Sequence, residues 1–91
     1  MAKTVRYVNT SSGVNVRDAA AGNKVRSLLQ GTLMIYDTAN APVKKALNGT
    51  TYTWIKVTYY YKGSNDQYLM ATEATGWVTQ NNTTEVSTTI P

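Results

Sequence analysis

The sequence predicts an all-β fold, a small and strongly bent antiparallel sheet of five to seven short strands closed on itself. Two observations carry this expectation. Thr, Val and Tyr are abundant while Gly, Asn and Asp cluster between the apolar stretches, a composition that favours strands separated by turns. The apolar stretches are also short and follow one another closely within 91 residues. A chain of that length makes one domain, and a sheet that small manages its edges by curling.

Taken in order, Lys3 to Val8 alternates weakly and reads as a first strand. In Gly13-Val14-Asn15-Val16-Arg17-Asp18 the two valines point one way and Asn15 and Arg17 the other, the pattern of a half-buried strand. Residues 19–23 read as a turn or wide loop. Gly31 then sits at a turn ahead of a strand with Leu33 and Ile35 on its inner face. Residues 37–51 look inserted. Asn40 can cap one or two helical turns with Pro42 in the first turn and Asn48-Gly49 closing them. The same Asn-Gly pair also fits a tight hairpin turn, and the helical reading is preferred here. A strand runs from Tyr52 through Tyr61, turns at residues 63–66, and returns from Gln67 to about Thr72. Gly76-Trp77-Val78 makes a final short strand, and residues 81–91 read as a polar tail or linker after a domain of residues 1–80.

The residue types exclude much chemistry. With no Cys there is no disulfide framework and no thiol nucleophile, and with no His the commonest general base and metal ligand are missing. No cofactor or metal is expected. The carboxylates Asp18, Asp37, Asp66, Glu73 and Glu85 mostly occupy turns, where such side chains cap backbone groups, so a glycosidase pair is a poor reading. Ala21-Gly22-Asn23-Lys24 lacks the glycine spacing of a phosphate loop. A non-enzyme is expected. Nine Lys and Arg against five Asp and Glu give a formal charge of +4. Only Lys44 and Lys45 are adjacent, so there is no basic tract, and nucleic acid is an unlikely partner on this reading. The first residues have no apolar signal segment and no window is long enough to insert in a membrane.

Three pieces of the chain together resemble the bacterial SH3 (SH3b) family. They are Gly13-Val14-Asn15-Val16-Arg17, then Val25 leading to Gly31 and an apolar strand, then Trp54-Ile55-Lys56-Val57 with Gly76-Trp77-Val78. The family pattern is an LNVR strand, a turn, V…L..G, a W..V strand and a closing GWV, and the likeness covers roughly residues 5 to 80. It implies an SH3-like barrel with Val14, Val16, Val57 and Val78 inside, Arg17 tying the loop that follows it, and Trp77 packed across the sheet. The chain departs from the pattern in the loop at residues 18–22, in a Val25–Gly31 spacing shortened by one residue, and in the longer 37–51 segment and Trp54–Trp77 hairpin.

The resemblance also implies a role. SH3b modules commonly target cell-wall hydrolases and phage endolysins to peptidoglycan. The chain is therefore expected to be a non-catalytic wall-binding module of a bacterial or phage protein, extracellular and wall-associated or phage-encoded. Its partner would be a peptidoglycan peptide or cross-bridge, or an anionic wall polymer. The rival expectation is a protein–protein adaptor or structural module in a phage particle or cell-surface assembly. The aromatic residues are the contact candidates, because they offer rigid amphipathic area. With Val57 inward, as the resemblance implies, period-two alternation turns Tyr59 toward the core or its rim and Trp54 and Tyr60 to the outer face, where Tyr68 and Met70 join them if Leu69 is inward. Trp54 is expected half-exposed, Trp77 mainly in packing, and Tyr36 and Tyr52 beside the 37–51 segment. The ligand-binding set is thus Trp54, Tyr60, Tyr68, Tyr36 and Tyr52, with Val43 and Leu47 able to cover part of it.

Overall fold

In the structure, a computed structural model, residues 3–61 and 72–86 are described. They form eight strands: β1 (Lys3–Val8), β2 (Val14–Arg17), β3 (Lys24–Leu28), β4 (Leu33–Asp37), β5 (Val43–Leu47), β6 (Thr50–Tyr61), β7 (Thr72–Thr79) and β8 (Thr83–Glu85). A 3-10 turn, Gln80–Asn82, joins the last two. The fold is all-β and antiparallel, in the order β3-β2-β7-β6-β4-β1-β8, with β5 paired to β6. The turn expected at 63–66 and the returning strand with Tyr68, Leu69 and Met70 lie outside the described residues.

The sheet curls around one core. Val8, Val14, Val16, Leu28, Met34, Tyr36, Ile55, Val57, Tyr59 and Val78 form a single buried cluster. These residues come from β1, β2, β3, β4, β6 and β7, so strands far apart in the sheet order meet across its concave side. Period-two facing explains most of the set. On β6, Ile55, Val57 and Tyr59 are buried while Lys56 and Tyr60 are exposed. On β2, Val14 and Val16 are buried and Asn15 is exposed. Gly76 lets β7 pass close to this core: a Cβ there would run into the Val16 side chain.

Four expectations need correction. The inner face of β4 is Met34 and Tyr36, while Leu33 is 56% exposed. Its register with β6 decides this, because Met34 opposes the buried Tyr59 and Tyr36 opposes Val57. Residues 37–51 hold no helical turn. They contain β5, which forms a hairpin with β6 in which Leu47 opposes Thr50 across Asn48-Gly49. Both turn residues have positive φ, 52° and 84°, the geometry of the two-residue turn whose twist matches a hairpin. The described residues alone hold eight strands, above the expected range. Finally, residues 81–86 are not loose tail. β8 pairs with β1 through Arg6↔Glu85, Tyr7↔Thr84 and Val8↔Thr83. Arg6 donates from Nε to Thr83 Oγ1 at 2.8 Å, and Asn9 Nδ2 donates to Thr84 Oγ1 at 2.9 Å.

Candidate functional site

β2 meets β7 at a single pair, Arg17↔Trp77. Past that pair the two strands part, since β7 continues along β6 with Trp54↔Thr79. The gap between them is a shallow depression of about 170 Å³, lined by Val14, Asn15, Arg17, Leu47, Tyr52, Trp54, Thr79 and Asn82. β2 thus supplies one wall, the β5–β6 hairpin the other, and Thr79 at the end of β7 and Asn82, the last residue of the 3-10 turn, complete the lining.

Trp54 is the floor. It is 1% exposed yet stands outside the main core cluster, on the outward-facing side of β6 opposite Ile55. Three neighbours account for its burial. Its indole Nε1 donates to the Lys45 carbonyl oxygen at 3.0 Å. The Arg17 guanidinium lies 6.0 Å from the ring centroid, within cation–π range. The Tyr52 ring meets it edge-on at 5.9 Å and 73°. Arg17 is itself held, donating from NH1 to the Gly22 carbonyl oxygen at 2.9 Å. The 18–23 loop that it braces is closed by Asp18 N–H to the Asn23 carbonyl oxygen at 3.0 Å and by Asn23 N–H to Asp18 Oδ1 at 2.9 Å.

Polar groups rim this aromatic floor. Asn82 Nδ2 donates to Thr79 Oγ1 at 2.6 Å, and Asn15 Oδ1 accepts from Ser27 Oγ at 3.0 Å. Each retains further hydrogen-bonding capacity: the Asn82 carbonyl oxygen of the side chain and the Asn15 amide NH₂ carry none of these bonds. The site can therefore press apolar surface against Tyr52 and Leu47 while exchanging hydrogen bonds with an amide-rich ligand along its edges. Among the described residues no three His, Cys, Asp or Glu side chains cluster to hold a metal. No helix among them is long and apolar enough to cross a membrane.

Comparison with known proteins adds no relative. The chain matches no family model, no curated protein and no solved structure.

The five contact candidates fare differently. Tyr52 is half-buried and lines the depression. Trp54 lines it too, but as a buried floor instead of a half-exposed platform. The packing roles expected of the two tryptophans are exchanged, because Trp77 is the half-buried one. Tyr36 is 6% exposed, belongs to the core, and donates its hydroxyl to the Asn40 carbonyl oxygen at 2.6 Å. It does not face a groove. Tyr60 is 41% exposed, opposite Glu73, but six residues along β6 from Trp54, about 20 Å away at strand rise. Tyr68 lies outside the described residues. Sequence reasoning missed Asn15, Thr79 and Asn82, named Leu47 only as cover for the aromatic set, and took Arg17 only as a loop tie. Asn15 and Arg17 carried a signal, being the outward residues of a confidently read strand. Asn82 carried none, since only the pairing of β8 brings it back to the sheet.

Proposed function

We propose that the chain is a non-catalytic cell-wall binding module that docks a peptidoglycan peptide or cross-bridge in the Arg17–Tyr52–Trp54 depression. The observation that carries the reading is that aromatic floor with its rim of Asn15, Thr79 and Asn82. Its size suits a short stretch of small residues, such as a cross-bridge, better than a bulky cofactor. The ordered series of SH3b-like motifs, and a sequence without His or Cys, support the same reading. Binding would be by shape, with rigid aromatic area and a few placed amide hydrogen bonds.

The test is sedimentation with sacculi stripped of anionic polymers, prepared from several Gram-positive species. The protein should pellet with at least one species, and Tyr52→Ala and Asn82→Ala should each reduce the pelleted fraction. Failure to pellet with any, while a known wall binder does, overturns the reading.

One observation favours the rival adaptor role. β5 pairs only with β6 among the described strands, and all its residues but Leu47 are exposed. Such an edge can accept a strand from a partner chain. A stoichiometric protein complex in light scattering, without retention by sacculi, would decide for it.

A further inference from the structure

The cations look scattered in the sequence, but strand register gathers four of them. Lys3 on β1 opposes Asp37 on β4. Asp37 and Lys56 line one depression. Lys56 on β6 opposes Trp77 on β7, Trp77 opposes Arg17 on β2, and Arg17 opposes Lys24 on β3. These residues make one transverse row on the outer face. It crosses six strands, about 24 Å at the usual strand spacing of about 4.8 Å.

The row is not a sample of a generally charged surface. The next row, Val5↔Ile35, Ile35↔Thr58 and Thr58↔Thr75, has no charge at all. Within the charged row Asp37 is the lone carboxylate, and its Oδ1 is occupied in accepting from Ala39 N–H at 3.0 Å. Lys3, Lys24 and Lys56 are all exposed. Between the two rows lies a depression of about 180 Å³, with Lys3 and Lys56 on its rim and Thr58 and Thr75 along its wall. An anionic group settling there would meet two ammonium ions and two hydroxyls against one carboxylate, Asp37, which lines the same depression and whose Oδ1 already accepts from Ala39 N–H.

We infer that this row binds a flexible phosphodiester polymer of the polyol-phosphate kind, on a surface that shares only Arg17 with the peptide depression. The source of that polymer, the cell wall, rests on the wall-binding reading above. Lysine ammonium groups are mobile point charges without the planar fork of arginine, so they follow regularly spaced phosphates without fixing one geometry. Single-strand nucleic-acid binders add exposed aromatic platforms for the bases. In this row Trp77 is half-buried between Arg17 and Lys56, which leaves charge as the main attraction.

The probes are purified poly(glycerol phosphate) and oligo-dT at equal phosphate concentration, titrated calorimetrically. Wild type should bind the polyol phosphate, with affinity falling about twentyfold from 50 to 200 mM salt for some three phosphate contacts. Lys3→Glu/Lys56→Glu should weaken binding about tenfold or more. Lys44→Glu/Lys45→Glu, the same change in net charge on the hairpin, should weaken it far less. Both variants alter exposed side chains and should keep the wild-type melting temperature. No binding by wild type, equal loss in the two variants, or tighter binding of oligo-dT would each overturn the inference. Sacculi stripped of polymer test the peptide depression alone, so Lys3→Glu/Lys56→Glu should pellet with them as wild type does.

Discussion

The indole nitrogen of Trp54 and the backbone carbonyl of Lys45, 3.0 Å apart, fasten β5 to β6 within their hairpin. The two residues belong to the same hairpin but not to the same cross-strand pair, since Trp54 opposes Val43 and Lys45 opposes Tyr52. The bond is therefore a side-chain brace laid across the ladder. It turns the inserted segment into one wall of the depression and seals the largest side chain of the chain beneath it.

Trp54→Phe keeps an aromatic ring but removes the donor, and should cost about 1–2 kcal/mol. Trp54→Ala removes the floor and should cost about 3–5 kcal/mol. Tyr52→Ala, at a half-buried position, should cost clearly less than Trp54→Ala yet reduce retention by sacculi. Urea unfolding of the three variants beside the sedimentation assay checks the order. If Tyr52→Ala destabilised as much as Trp54→Ala, Tyr52 would be structure and the site would lose its exposed aromatic wall.

Tyr59 and Tyr60 are adjacent and face opposite ways, 1% and 41% exposed. Tyr59 packs in the core with the Arg26 guanidinium 5.9 Å from its ring centroid. Tyr59→Ala should cost about 3–5 kcal/mol, and Tyr60→Ala no more than about 0.5 kcal/mol. Because Tyr60 does not line the depression, its removal should also leave sacculus binding unchanged. A melting-temperature comparison suffices for the first part, and equal shifts would contradict the division of the tyrosine run.

The same residues show how far the sequence could be read. Where apolar and polar residues alternate, as at Val14-Asn15-Val16 and Val57-Thr58-Tyr59, the facing was legible because the pattern itself carries the period. Leu33-Met34-Ile35-Tyr36 has no such contrast. Its facing follows from Met34 opposing Tyr59, a contact no local pattern encodes. The 37–51 segment was ambiguous for another reason, because Asn-Gly closes a helix and a hairpin equally well. Trp54 was misjudged since its cover, Arg17 and the Lys45 carbonyl, arrives from two other strands. β8 is short and polar, and only its long-range pairing with β1 makes it a strand.

The Asn48-Gly49 turn offers a direct probe of the hairpin. Gly49 has φ 84° with open space around its missing side chain, so Gly49→Ala costs conformational strain without a clash. The expected loss is about 1 kcal/mol. Asn48→Gly, at φ 52°, should be tolerated with only a few tenths of a kcal/mol of change. The indole is the natural reporter, because loosening the hairpin exposes Trp54 to water. Its fluorescence should shift to the red in Gly49→Ala before global unfolding, and an unshifted spectrum would mean that the brace holds without the turn.

β8 sets the last prediction, since it carries the sheet past residue 80. A chain stopped after Gln80 loses the Val8↔Thr83 pair, the Asn9 N–H bond to the Asn82 carbonyl oxygen at 3.1 Å, and both Arg6 bonds to Thr83. It also uncovers the edge of β1 beside Val8, which is fully buried in the core. An unpaired strand edge invites association as well as lowering stability. The shortened chain should therefore melt several degrees lower than the 91-residue chain and sediment partly as oligomers. Hydrogen exchange on the intact chain gives an independent check, because the Asn9 amide should be protected only while residues 81–86 stay docked. A shortened chain as stable and monomeric as the intact one would return these residues to the status of a linker.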